Sequence, residues 1–121
     1  MFEPTATCQV ADHANVRERL EQGAPLESCR RAAALFRALG DPNRIRLLVL
    51  LQEGEKCVTE LAEILNDGLS SVSQRLKLLR AERLVDFRRD GKHIIYALAD
   101  QHVALLVANA LEHVCEQDPK P

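Results

Sequence analysis

Apolar positions in this chain recur at two periods, and the change from one to the other falls near residue 84. Between Cys29 and Leu39, Ala32, Leu35, Phe36 and Leu39 are spaced three and four apart, which predicts an amphipathic helix with these residues facing inward. Gly40-Asp41-Pro42 ends it, and Pro42 stands where a second helix begins, with Asp41 as its N-cap. That helix carries Ile45, Leu47, Leu48, Leu50 and Leu51 and stops near Gly54. Cys57 to Leu65 reads as a shorter helix with Val58, Leu61, Ala62 and Leu65 inward. Asn66-Asp67-Gly68 signals a turn, and the next helix buries Val72, Leu76 and Leu79. Two short helices joined by a tight glycine-containing turn form a helix-turn-helix, whose second helix suits a major groove.

Beyond residue 84 the period drops to two. Leu84-Val85-Asp86-Phe87-Arg88-Arg89 and His93-Ile94-Ile95-Tyr96-Ala97-Leu98 flank Asp90-Gly91, a two-residue hairpin signal. The predicted fold is therefore mainly α with a β-hairpin wing, a winged helix-turn-helix. Asp100 reads as the N-cap of a last helix reaching about Gln117, before Pro119 and Pro121. Residues 1–25 are polar and broken by Pro4, Gly23 and Pro25. They are expected to form a mobile N-terminal arm holding a short helix around Ala14 to Glu21, ahead of a globular part over 26–118.

Composition narrows the function classes. With 121 residues, 46% of them hydrophobic, the chain matches one ordinary domain that needs no disulfide staples. Cys8, Cys29, Cys57 and Cys115 are then free thiols or metal ligands, and the N-terminus lacks the basic and apolar features of a secretory signal, so a reducing cytoplasm is expected. The most apolar stretch, Val103 to Leu111, is too short for a membrane span. The net charge is -2, yet Ser70 to His93 holds seven basic residues against three acidic ones, a local excess of four positive charges. Aromatic content of 3% disfavours stacking on single strands and leaves duplex DNA as the expected nucleic acid.

Ser70, Ser71, Ser73, Gln74 and Arg75 occupy the first turns of the second helix, where base edges are met. Gln pairs bidentately with adenine and Arg with guanine, while Lys77, Arg80, Arg88, Arg89, Lys92 and His93 suit phosphate contact or a minor groove. The plainer alternative for the basic run is a solvated charged face.

Two groups have metal-binding chemistry. The last helix carries Asp100, His102, His113 and Glu116, all zinc-binding residue types. The two histidines, eleven residues apart, lie about 20° apart in rotation but about 16 Å apart along the axis, too far for one ion. Asp100/His102 and His113/Glu116 meet at one ion only if a second copy of the helix runs antiparallel, which requires a homodimer. Val103, Leu106, Val107, Ala110 and Val114 form an apolar stripe that such a pair would use. The alternative is a capping or solvated role. Cys57 and Glu60, one turn apart, join Cys8, Asp12 and His13 of the arm as a possible tetrahedral set for zinc or a softer ion, against a buried packing role for Cys57. Cys29 and Cys115 read as packing residues.

Taken together, Ala38-Leu39-Gly40-Asp41-Pro42-Asn43-Arg44-Ile45-Arg46-Leu47, Cys57-Val58-Thr59-Glu60-Leu61, Ser70-Ser71-Val72-Ser73-Gln74-Arg75-Leu76 and Gly91-Lys92-His93-Ile94-Ile95-Tyr96 resemble the ArsR/SmtB family of metal-responsive bacterial repressors over about residues 30–117. The resemblance implies a homodimer that holds operator DNA and is released by Zn(II). Its interfacial ligands would be Asp100, His102, His113 and Glu116, position by position. A second site would use Cys57, Cys8 and His13, with Glu60 as a further ligand, Asp12 as an alternative to His13, and Cd(II), Co(II) or Cu(I) as other ions. Three departures stand out. The family's Cys-Val-Cys or Cys-Val-Gly-Asp signature is here Cys57-Val58-Thr59-Glu60, the spacing of the arm donors differs, and Gly68 replaces the usual Ser or Thr cap, an acceptable exchange. The rival readings are a repressor of the same fold that senses oxidants or persulfides through Cys57 or Cys115 and, further off, a small zinc hydrolase.

Overall fold

The structure is a computed structural model and describes residues 10–117. The elements are α1 (Val10–Gly23), α2 (Leu26–Leu39), α3 (Pro42–Gln52), β1 (Lys56–Cys57), α4 (Val58–Leu65), α5 (Leu69–Ala81), β2 (Val85–Asp90), β3 (His93–Leu98) and α6 (Gln101–Gln117). By contacts the chain divides into two units, one up to Ala34 and one from Leu35 onward, so the division falls inside α2.

In the first unit, α1 is longer than the short helix expected around Ala14 to Glu21. Gly23 and Pro25 do end it, with the Ala24 N–H closing the last turn on the Leu20 carbonyl at 2.7 Å. Val16, Leu20 and Leu26 are more than half exposed.

The second unit is built on three leucine-rich helices and the wing. Leu47, Leu48, Leu61, Leu76, Leu79 and Leu84 are wholly buried, and Val103 and Val107 of α6 complete the same core. The stripe on α2 is only half used: Leu35 and Leu39 pack on the core, but Phe36 is 57% exposed. Gly40-Asp41-Pro42-Asn43-Arg44 is a compact joint between two helices. Asp41 accepts the Arg44 N–H at 3.0 Å as N-cap of α3. The Arg44 guanidinium turns back to donate to the Ala38 and Arg37 carbonyls at 2.6 and 3.2 Å, adding to the Gly40 N–H that the Arg37 carbonyl already accepts at 3.1 Å. A side chain at Gly40 would crowd the Arg37 carbonyl at 3.3 Å.

Asn66 takes the left-handed conformation after α4, and the Asp67 N–H returns to the Ala62 carbonyl at 3.0 Å, which sets the sharp turn into α5. Arg83 does the same after α5 at φ 60, with Leu84 N–H bonded to Leu79 O at 2.9 Å.

The sheet differs from expectation in two respects. It has three antiparallel strands in the order β1-β3-β2, because Lys56 and Cys57 pair with Tyr96 and Ile95. Cys57 therefore precedes α4 as its N-cap in extended conformation instead of opening the helix. The hairpin loop is also shifted by one residue: Asp90 pairs with His93, leaving Gly91-Lys92 as the loop. Only Gly91 of these has positive φ, at 63, which is the type II′ arrangement with glycine first.

Candidate nucleic-acid interface and metal donors

Helix α5 separates its residues by face. Val72, Leu76 and Leu79 are buried, while Ser70, Ser71, Gln74 and Lys77 are exposed along the opposite side. Ser73 is half-buried and borders a cleft shared with Cys57, Lys92 and His93. Arg75, the residue expected to reach guanine, is already engaged: its guanidinium donates to Asp67 at 2.5 Å, and its side chain is 23% exposed. Asp67 also accepts the Gly68 N–H at 2.8 Å, and the arginine together with this bond holds the carboxyl below its ordinary pKa.

Side chains of the wing alternate between two faces. Pairing places Phe87 opposite Tyr96 and Arg89 opposite Ile94 on one face, turned toward α5. Arg88 pairs with Ile95 on the other face, where Cys57 also pairs with Ile95 and His93 lies two residues away. The two wing arginines are thus not equivalent. Arg89 joins Lys77 and Arg80 beside α5. Arg88 donates to Glu55 at 2.6 Å, and this contact lowers the glutamate's pKa and raises the arginine's.

Cys57, Glu60 and His93 border a second cleft on the far side of the sheet. Glu60 accepts the Cys57 backbone N–H at 3.0 Å, and this bond, supported by the Cys57 thiol, keeps its carboxyl below the ordinary range. Cys57 is half-buried, which fits neither a fully packed core thiol nor an open one. Asp12 and His13 are exposed on α1, and Cys8 lies outside the described residues. Cys29 and Cys115 are exposed, contrary to the packing roles expected of them, because the helix faces that carry them meet no core.

On α6, Asp100 caps the helix by accepting the Val103 N–H at 3.1 Å, and His102 Nδ1 stands 3.6 Å from the same Asp100 oxygen. His113 and Glu116 are exposed at the other end. Among the described residues of one chain, no three His, Cys, Asp or Glu side chains cluster closely enough to hold an ion. The apolar stripe expected to serve an interface is divided. Val103 and Val107 are taken by the chain's own core, Leu106 is half-buried, and Ala110 and Val114 are exposed; Leu105 and Leu111, outside the stripe, are exposed as well. Residues four apart on a helix share a face, so a helix lying on the core uses part of any broad stripe.

A helix-turn-helix whose second helix exposes Ser, Gln and Lys, flanked by a basic hairpin, defines a winged helix-turn-helix DNA-binding protein. The family described as bacterial regulatory protein, arsR family, matches residues 41–86. The transcriptional repressor SmtB homolog of Synechocystis sp. is 39% identical over 103 residues, 85% of this chain and 78% of that protein. A cadmium resistance transcriptional regulatory protein CadC homolog of Staphylococcus aureus is 37% identical over 82 residues, 67% of this chain and 68% of that one. Among solved structures, the homodimeric winged helix-turn-helix DNA-binding domain of a possible ArsR-family regulator from Mycobacterium bovis superposes with a TM-score of 0.75 at 28% identity, over 79% of this chain and 89% of that one. The chain belongs to the ArsR family of bacterial regulatory proteins. It is a DNA-binding transcriptional regulator and not an enzyme, which removes the zinc-hydrolase reading. No helix among the described residues is long and apolar enough to cross a membrane.

Proposed function

We propose that this protein is a cytoplasmic homodimeric repressor that holds duplex operator DNA without metal and releases it when Zn(II) binds between its α6 helices. The observation that carries the reading is the placement of two exposed donor pairs, Asp100/His102 and His113/Glu116, at opposite ends of one helix. Neither pair suffices alone. Set antiparallel against a second α6, each pair faces the complementary one, and two equivalent four-donor sites result. The donors fit zinc: two imidazoles and two carboxylates are borderline and hard ligands of the kind it accepts. Asp100 spends one oxygen on its cap, which leaves the other for an ion. Leu105, about 60° of helix rotation from His102, supplies exposed apolar surface beside the donors for the partner to cover. Bound zinc supplies charge that ties two subunits together; regulation then needs only that the ion prefer the conformation that does not fit DNA.

Base reading falls to Ser70, Ser71 and Gln74, which are exposed on α5. Arg75 acts through its Asp67 pair to hold the turn before α5 and to orient its own guanidinium. Cys57 and Glu60 offer a thiolate and a carboxylate toward a second set of donors for Zn(II), Cd(II), Co(II) or Cu(I).

The test is to select a binding duplex from a random pool and measure its affinity with and without Zn(II) at fixed salt, because phosphate contacts make affinity steeply salt-dependent. Zinc should weaken binding at least tenfold. Unchanged affinity with zinc, together with release by an oxidant in metal-free buffer, would replace metal sensing with thiol sensing.

A further inference from the structure

The cleft between α5 and the wing, about 640 Å3, is chemically unlike the surfaces on either side of it. Lys77 and Arg80 border it from the helix, and Phe87, Arg89 and Tyr96 from the sheet. The strand pleat sends every acid of β2 away from it. Val85, Phe87 and Arg89 alternate with Asp86, Arg88 and Asp90, so both aspartates share the far face with Arg88. None of Lys77, Arg80 and Arg89 forms an ion pair with a described residue.

Arg80 is nevertheless held in place. Its guanidinium carbon stands 3.8 Å over the centre of the Phe87 ring. Phe87 is itself fixed by an edge-on contact with Tyr96, with ring centres 5.6 Å apart and planes at 65°. Tyr96 is only 5% exposed, and burial pushes its phenol pKa up, so the ring supporting the stack stays neutral. The guanidinium hydrogen bonds among the described residues belong to Arg44, Arg75 and Arg88. Attraction to a ring face positions a charge without consuming its N–H donors. Arg80 is thus a cation with its direction set and its donors unspent.

We propose that this cleft seats one backbone phosphodiester of duplex DNA, bound by Arg80 with Lys77 and Arg89, and that Phe87 is the positioning residue that presents Arg80 to it. The proposal rests on the DNA-binding reading of α5. A helix in a major groove is bounded by the sugar-phosphate strand, and a wing attached beside that helix must straddle the strand; the cleft is the space between the two. Arginine meets phosphate oxygens with two parallel N–H bonds, so the seat sets the register of the helix along the strand as well as adding affinity.

The experiment uses the full chain and a mixed-sequence duplex of about three helical turns, titrated between about 50 and 200 mM salt. Arg80→Ala should reduce the slope of log affinity against log salt by about 0.9 per subunit, about 1.8 for the homodimer, the loss of one neutralised phosphate on each subunit. Phe87→Leu keeps the charge and should leave the slope alone while weakening binding about two- to five-fold per subunit. That weakening should vanish when Phe87→Leu is made on top of Arg80→Ala, since the ring acts through the arginine. Arg80 is exposed, so its replacement leaves the core intact. An Arg80→Ala variant with unchanged slope and affinity would overturn the seat, as would an equal Phe87→Leu loss with and without Arg80. Any competition by inorganic phosphate at constant ionic strength should require Arg80; phosphate that binds through Arg80 without displacing the duplex would give the cleft to a free anion instead. A wild-type chain that bound no duplex at any salt would overturn the DNA reading itself, a separate result.

Discussion

Consider a dimer carrying His102→Ala in one subunit and His113→Ala in the other. If each ion takes Asp100 and His102 from one chain and His113 and Glu116 from its partner, one of the two sites loses both histidines. The other keeps all four donors. Each single-mutant homodimer has two damaged sites. Random exchange of subunits from equal amounts of the two variants yields homodimers and mixed dimers in a 1:2:1 ratio, so half the dimers carry one intact site. The mixture should then hold about 0.5 full-affinity sites per dimer, against about two in the wild type and none in either variant alone. The structure favours a clean readout. His102 and His113 are exposed, the His102 side chain to 95%, so truncating either leaves the core intact. Eleven residues of helix separate them by about 16 Å, which rules out rescue inside one chain by a rotamer change. Zinc titration against a competing chelator, in a Cys57→Ser background to silence the thiolate donors, gives the stoichiometry. A mixture with no recovered sites would refute the shared-helix arrangement.

Gln74→Ala should cost about 1 to 3 kcal/mol on the selected duplex and little on a scrambled one, whereas Arg89→Ala should weaken both alike and flatten the salt dependence, as binding isotherms would show. Cys57→Ser should abolish thiolate-to-metal absorption in a Co(II) complex while Cys29→Ser preserves it. Arg83→Gly should stabilise the chain by up to about 1 kcal/mol in thermal unfolding, because glycine accepts the left-handed conformation at φ 60 without the side-chain clash, less its own entropy cost. The pKa values of Asp67 and Glu55 are depressed by Arg75 and Arg88, so their contribution to stability is complete above the ordinary 3.8 and 4.5 and is lost as pH falls through the depressed values. Thermal midpoints should therefore fall on acidification from about pH 5 downward, and less steeply in Asp67→Asn.

Most of the fold is readable in the sequence because local rules and the hydrophobic pattern agree. The three-and-four spacing of Leu47, Leu48, Leu51, Leu61, Val72, Leu76 and Leu79 marks the faces that are buried. Asp41 and Asp100 announce helix starts through side chains that reach their own backbone three residues on, an interaction local enough to need no tertiary partner. The spacing of Asp100, His102, His113 and Glu116 on one helix is likewise a property of the chain alone. What the sequence could not decide depends on which distant groups meet. Strand β1 is two residues long, too short to show a period, and exists because β3 offers Lys56 and Cys57 a ladder. Hairpin register put the loop at Gly91-Lys92, and that register sent Arg89 to the α5 cleft and Arg88 to the opposite face. Arg75 and Arg88 look like any other basic residues in a row of letters, but folding brings Asp67 and Glu55 against them and commits their charge. Val103 and Val107 belong to a stripe that fits either a core or a dimer, and only the packing of α6 on the leucine core assigned them to the first. Periodicity says that a face is buried; the partner that buries it, and the charge that a neighbour neutralises, are settled by long-range contacts that no local pattern encodes.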